Sequence, residues 1–567
     1  MDRNDLLRRI TERLRNIYGD VASVGLAEEI VQICDDCRVT HESTGKKWDE
    51  RDAVLITYAD SINKRGYKPL EAFKGFADKY LKDRISCVHF LPFFPFSSDD
   101  GFSVMDYYTV YKKYGSWDDI KAVGHHFSLM YDFVVNHVSQ HSKWFTDFLI
   151  GSDKAKDFFI EADPDKDYSD VVRPRSLPLL SKVSKLSGDA HVWTTFSDDQ
   201  IDLNFGNPKV LVAMLEVLGF YLKNQGRIIR FDAIAYLWKE LGTSCLHRPQ
   251  THEIVKLFRD FAEAINPQAI ILTETNVPNK ENLSYFGSGD EAHMIYQFSL
   301  PPLLLHALLS STSRYLQEWA KELPGLPANC TYFNFTASHD GIGVRPLEGV
   351  LPDNELDDLV KQIVRFGGKV SSRTKGDGTE SPYELNITYF DAMKGTVDGE
   401  DGKQVQRFIC SQAIAMAMQG VPALYIHSLF ATPNDYKGAE RTGRARSINR
   451  KKVYTEDVKL LLKIKDHPTK KVFYRLLELL EIRRMQPAFH PSASQEIINS
   501  DNSLFVIKRI SETQQLLAIS NITGQTIPVN LSDFVEDAVF ADVADGAKID
   551  PEVTLKPYGY LWVTVIV

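Results

Sequence analysis

Eight apolar runs of strand length recur along this chain, and helical segments separate most of them. AVLITYA (Ala53–Ala59) opens the series. ISCVHFLPF (Ile85–Phe93), LMYDFVVNH (Leu129–His137), RIIRFD (Arg227–Asp232) and AIILTE (Ala269–Glu274) follow. MIYQFSL (Met294–Leu300), NFTASHD (Asn334–Asp340) and PALYIHS (Pro422–Ser428) complete it. Near-continuous apolar runs are the mark of strands buried on both faces. Their alternation with helices such as PKVLVAMLEVLGFYLKN and THEIVKLFRDFAEAI favours a parallel sheet, and eight strands favour a closed one. The expected fold class is therefore α/β, a (β/α)8 TIM barrel over residues 51–487.

Four of these runs end in a carboxylate or in a histidine beside an acid or amide: DFVVNH, RIIRFD, IILTE and FTASHD. In a parallel barrel the C-terminal strand ends converge on one face, where the active site sits. Asp232, Glu274 and Asp340 would thus meet from three different strands. Ion pairs bracing the barrel top are the bland reading of any one of them; the ordered set points to a site.

The spacing is uneven. About 90 residues rich in Asp, Ser and Pro lie between the third and fourth strands, too long for a barrel loop, so a small inserted domain is expected at 140–205. A second excursion, 341–421, carries the turn-rich SSRTKGDGTESPYE and should roof the site. Residues 1–50 read as a helical extension, with Leu6, Leu7, Ile10, Leu14 and Ile17 at helical spacing. From 488 to 567 short alternating runs between turn residues read as a C-terminal antiparallel β domain. A net charge of −10 argues against nucleic acid or an anionic membrane as partner. The charged N-terminus lacks a signal-peptide core, and no run reaches the length of a membrane span, so a cytoplasmic protein is expected. Cys34 and Cys37 form a CxxC with no second ligand pair nearby, and two cysteines near a helix end are its bland reading.

Two carboxylates flanking a bond suit glycoside chemistry, one ionised to attack the anomeric carbon and one protonated to donate to the departing oxygen. Arg230, two residues before Asp232, would hold that aspartate ionised, as a nucleophile needs. Glu274 ends an apolar strand, where desolvation raises a carboxyl towards general-acid use. His339 beside Asp340 suits gripping sugar hydroxyls.

These four segments resemble those of the α-amylase superfamily, glycoside hydrolase family 13. The resemblance implies Asp232 as nucleophile, Glu274 as general acid/base and Asp340 as transition-state stabiliser. It implies sugar contacts from His137 and His339, support of the nucleophile by Arg230, and a retaining double displacement with the carboxylates roughly 5–5.5 Å apart. LPFFPFSSDDGFSVMDY, RPRSLP, FSLPPLLLHAL, SHDGIG and ARSINR resemble the sucrose phosphorylase subfamily, which transfers glucose to inorganic phosphate. By that resemblance Asp99, Phe102 and Arg446 close the glucose subsite, Phe196 and Tyr236 wall it, and Arg175 and Tyr383 meet phosphate or acceptor. No cofactor and no metal are implied, although Asn136 matches a calcium-binding position of true amylases.

Departures from the subfamily bear on the acceptor. Glu274-Thr275-Asn276 stands where sucrose phosphorylases carry E-x-H, and Ser381 and Glu384 replace fructose-holding Asp and Gln beside Arg373 and Lys375. Fewer fructose-binding groups and more cations suit a smaller, anionic acceptor. Solvated loop charges are the other reading of Arg373 and Lys375. The N-terminal extension and ETNVPNKEN resemble the subfamily's glucosylglycerate phosphorylases, implying an α-glucoside, phosphate and D-glycerate as small-molecule partners. Sucrose, sucrose 6-phosphate or glucosylglycerol phosphorylase, and a hydrolytic α-glucosidase, are the alternatives. Monomer and homodimer are equally compatible with the sequence.

Overall fold

The computed structural model describes residues 2–20, 23–39, 46–175, 177–374 and 379–566. Eight parallel strands close into a barrel: β1 (Val54–Thr57), β2 (Cys87–Phe90), β3 (Ser128–Val134), β4 (Gly226–Asp232), β5 (Ile270–Thr273), β6 (Met294–Tyr296), β7 (Thr331–Phe335) and β8 (Val421–Tyr425). Each pairs with its neighbour in sequence, and β8 returns to β1 through Val54 opposite Ala423. Every residue of β1, β2 and β5 to β8 is buried, as strands lined inside and covered outside by helices require. The expected (β/α)8 barrel is the observed fold.

The N-terminal region forms two helices, α1 (Arg3–Tyr18) and α2 (Ser23–Cys37). Asp2 caps α1 by accepting the Asp5 N–H at 2.8 Å. The stripe Leu6, Ile10, Leu14 and Ile17 is buried, one helical face in register with its spacing. It lies on the barrel helix α4 (Pro249–Ile265), and α2 packs on α4 and on α3 (Pro208–Lys223). Arg9 and Arg13 of α1 both bind the buried carboxylate of Asp260 on α4. Cys34 is buried near the Phe261 carbonyl, and burial pushes its thiol up to about 12, far from a reactive thiolate.

Between β3 and β4 the chain makes an antiparallel pair, His137–Ser139 with Gln200–Asp202, a helix Lys143–Leu149, and a hairpin of Leu180–Lys185 with Gly188–Trp193. After β7 it makes a three-stranded antiparallel sheet of Ile342–Gly343, Glu380–Asn386 and Lys369–Thr374. The chain ends in a six-stranded antiparallel sheet with its own apolar core around Val506, Leu517, Phe540 and Val563. No helix among the described residues is long and apolar enough to cross a membrane.

Candidate active site

The upper interior of the barrel is charged. Asp132 on β3 and Arg230 on β4 are register partners, and both are buried. His89 on β2 lies 2.6 Å from Asp132 Oδ2, while Arg230 Nη1 donates to Asp132. The same Nη1 donates to Asp232 Oδ1 at 2.7 Å, and Nη2 is 3.8 Å from Glu274 Oε2. Burial works against the Arg230 charge, but Asp132, Asp232 and Glu274 around it outweigh that and keep it protonated. One guanidinium therefore carries both candidate acids.

Burial raises both carboxyls, and Arg230 opposes the rise in each. Asp232 takes a direct charge-assisted hydrogen bond from it. Among the described residues Glu274 has the Ala233 N–H at 3.1 Å as its only hydrogen-bond donor, and Asp340 adds a like charge. Burial, with the like charges of Glu274 and Asp132, pushes the Asp232 carboxyl up to about 8 against Arg230, while the direct hydrogen bond from Arg230, which Glu274 lacks, favours the ionised form of Asp232. Ala233 reaches that contact with φ of 51°, a left-handed backbone that alanine rarely adopts, directly after Asp232.

Asp340 sits across the mouth. Arg446 Nη1 lies 2.7 Å and Arg450 Nη2 3.9 Å from its Oδ1, and His339 Nε2 lies 3.5 Å from its Oδ2. Burial raises its pKa, but Arg446, His339 and Arg450 outweigh that and hold it well below the usual carboxylate range. Arg446 is itself clamped by Glu384, Nε to Oε1 at 2.9 Å and Nη2 to Oε2 at 2.7 Å. Phe102 stacks on His339 with centroids 4.7 Å apart and planes 2° from parallel. Burial lowers the pKa of His339 to about 3 and also lowers that of His137, so both are neutral at pH 7. Asp99 is pushed up by burial but down to about 2 by Arg450, Arg446 and Arg175. It sits in a turn in which Asp99 and Asp100 both take φ of 51°. Gly101 completes that turn, and a Cβ there would lie 2.6 Å from the Pro92 carbonyl.

The cavity they surround holds about 920 Å³ of space, part of it open solvent, and His89, Asp132 and Arg450 stand outside its lining. Of those proposed from sequence, Asp99, Phe102, Arg175, His137, Phe196, Arg230, Asp232, Glu274, Asn276, His339, Asp340, Tyr383, Glu384 and Arg446 face it. Tyr236 stands behind Phe196, edge-on at 5.3 Å. Arg373 does not line the cavity; its Nη2 donates to Glu348 Oε1 at 2.6 Å. Lys375 lies outside the described residues. Arg175 has no ion-pair partner among the described residues, and its charge acts on Asp99 and Tyr383. Burial and then Glu384 push the Tyr383 phenol up to about 12, so it stays a hydrogen-bond donor.

Sequence reasoning missed three cations. Arg450, 3% exposed at its side chain, donates from Nε to the His339 carbonyl at 2.9 Å and lies 2.7 Å from Asp100. Lys239 Nζ donates to Asn136 Oδ1 at 2.7 Å and to Asp202 Oδ2 at 2.7 Å, placing an ammonium beside the asparagine that matches a calcium position. Arg345 is buried after Gly343 and Val344. A signal was present for Arg450 in the final arginine of ARSINR; nothing local marks Lys239, whose partners lie 103 and 37 residues away. Among the described residues no group of three or more His, Cys, Asp or Glu is arranged to hold a metal ion.

Comparison with known proteins bears on this geometry. The α-amylase catalytic-domain family matches residues 60–340. The glucosylglycerate phosphorylase of Escherichia coli (strain K12) is 41% identical over 560 residues, covering 98% of this chain and 100% of that protein. That of Spirochaeta thermophila is 41% identical over 578 residues, 98% of each chain. The crystal structure of sucrose 6F-phosphate phosphorylase from Thermoanaerobacter thermosaccharolyticum matches with a TM-score of 0.73 at 26% identity, covering 83% of this chain and 94% of that one.

Proposed function

The chain belongs to the α-amylase superfamily, glycoside hydrolase family 13, and on that premise we propose that it is a retaining phosphorylase of 2-O-α-glucosyl-D-glycerate. Its products are α-D-glucose 1-phosphate and D-glycerate. The observation that carries the reading is likeness to glucosylglycerate phosphorylases over 98% of the chain. The pair of acids on Arg230 is the chemistry such a reaction needs.

In the first step the Asp232 carboxylate attacks the anomeric carbon of the bound glucosyl unit. The bond to the glycerate oxygen breaks, and Glu274 gives that oxygen its proton, leaving a β-glucosyl ester on Asp232. In the second step a phosphate oxygen attacks the same carbon from the opposite side. Glu274, now a carboxylate, takes the phosphate proton, and the ester bond to Asp232 breaks. Two inversions give an α-product.

Asp340, held ionised by Arg446, stabilises the positive charge that develops on the sugar, and neutral His137 and His339 donate to its hydroxyls. Arg175 is the cation that lets a phosphate approach an otherwise acidic cavity, with Tyr383 as a second donor. Tyr236 supports Phe196. The reading makes this a cytoplasmic enzyme of small molecules, working as monomer or homodimer.

Sucrose phosphorylase is the second reading, favoured by the fold match to a sucrose 6F-phosphate enzyme. Phosphate release from α-glucose 1-phosphate, measured with D-glycerate, fructose, fructose 6-phosphate and glycerol in turn, separates them. D-glycerate is expected to be the best acceptor; fructose outpacing it would overturn the reading. Glucose release independent of phosphate would instead indicate a hydrolase.

A further inference from the structure

Arg345 opens a turn of 3-10 helix, Arg345–Leu347, just beyond the segment that closes the roof sheet. It is only 8% exposed. Its Nε is buried with no hydrogen-bond partner, and its guanidinium has no ion pair among the described residues. A buried arginine without a carboxylate is costly, because its charge has lost water and gained nothing in exchange. Folds keep such a group when something else supplies the anion.

Orphaned polar atoms gather around it. The ladder that pairs Gly343 with Glu384, and the Val344 N–H donated to the Tyr383 carbonyl at 3.1 Å, carry Arg345 to the part of the roof where Arg373 faces Ser381. Arg373 Nε, Ser381 Oγ and Asn276 Oδ1 are also buried without partners among the described residues. The charges of Arg345 and Arg373 both act on the Tyr236 phenol, in the loop after β4, and on Glu281, in the loop after β5. The Glu348 carboxylate pairs with Arg373 at 2.6 Å, and Glu281 lies 3.0 Å from His247. Asn276, Gly343 and Tyr383 belong both to this cluster and to the lining of the catalytic cavity. Gly343 has no room for a side chain: a Cβ would lie 2.6 Å from Asn276 Oδ1.

We propose that Arg345, outside the cavity lining itself but two residues beyond its Gly343 and with Asn276 beside it, is the site that receives the acceptor's carboxylate. The inference rests on the reading that the acceptor is D-glycerate, and sharpens it from a loop charge to a buried guanidinium. A planar fork of donors matches a carboxylate in two hydrogen bonds, whereas glycerol and fructose offer it nothing anionic. Specificity then follows from what a neutral acceptor leaves unpaired.

The test compares the native enzyme with Arg345→Gln and Arg345→Lys. Phosphate release from α-glucose 1-phosphate is followed with D-glycerate, glycerol, fructose and fructose 6-phosphate. Arg345→Gln is expected to lower the ratio of kcat/KM for D-glycerate to that for glycerol by about 10- to 100-fold, mainly through KM, and Arg345→Lys to restore part of it. A ratio unmoved by Arg345→Gln, or equal losses with D-glycerate and glycerol, would overturn the assignment while leaving D-glycerate as acceptor. If the native enzyme prefers fructose 6-phosphate and Arg345→Gln loses that preference, the anion site stands and the D-glycerate reading falls. A native enzyme that prefers fructose or glycerol removes both.

Discussion

Asp232→Asn keeps the shape of the side chain and removes its charge, and with it the nucleophile and the anion that Arg230 binds at 2.7 Å. Turnover is expected to drop by about 10⁴-fold or more, read as phosphate release; an unchanged rate would sink the assigned chemistry. Glu274 predicts a pH profile. Burial, with the Asp340 charge in support, lifts its pKa above the usual glutamate value of 4.5, and it must be protonated for the first step. The kcat/KM for the glucosyl donor should therefore fall as pH rises through that raised value, on the alkaline side of the optimum. In Glu274→Gln the limb should vanish together with most of the activity. An alkaline limb that persists in Glu274→Gln would assign the titration elsewhere. Arg446 and Arg450 set the opposite sense for Asp340, which stays ionised throughout this range.

Loops do at the level of elements what these side chains do singly. The segment between β3 and β4 is tied to the barrel through Asp202, which accepts from Asn136 Nδ2, just after β3, at 3.0 Å and holds Lys239, beyond β4, at 2.7 Å. Lys239→Met leaves Asp202 buried without its cation, a change that typically costs about 3–5 kcal/mol. The midpoint of urea unfolding should fall accordingly; a midpoint within error of the native enzyme would mean that water replaces the ammonium. The eight strands were legible because each is short, apolar on both faces and tipped with polar residues, a pattern that needs no tertiary knowledge. Asp232, Glu274 and Asp340 were legible for the same reason, since each ends or closely follows its run. Lys239 and Arg345 were not. Lys239 matters through residues far from it in sequence, and Arg345 through the absence of a partner, which only folded coordinates reveal. Arg373 illustrates the converse, a cation conspicuous in the sequence that the fold spends on Glu348.

Across the whole molecule, the N-terminal helices brace the side of the barrel that carries the nucleophile. Tyr18 at the end of α1 donates to the Phe205 carbonyl at 2.8 Å and packs on Trp238, which follows β4 by six residues. The same helix sets Arg9 and Arg13 against Asp260, and Arg13 also reaches Glu253 at 3.5 Å and Asp290 at 3.3 Å. Burial pushes the Asp260 carboxyl up to about 6, with Arg9 and Arg13 pulling the other way. A folded pKa above the unfolded 3.8 means that Asp260 costs stability once it is ionised, and that the cost is relieved as pH falls from about 6 towards 3.8. Arg13→Ala removes one of the two opposing cations, so the folded pKa should rise further and the cost at neutral pH should grow. The variant is expected to lose stability at pH 7.5 and to regain part of the loss, relative to the native enzyme, at pH 5.5. Urea midpoints of both proteins at the two pH values measure this directly. A deficit that stays constant between them would show that Arg13 acts through packing of its stem or through Glu253 and Asp290, and not through the charge of Asp260.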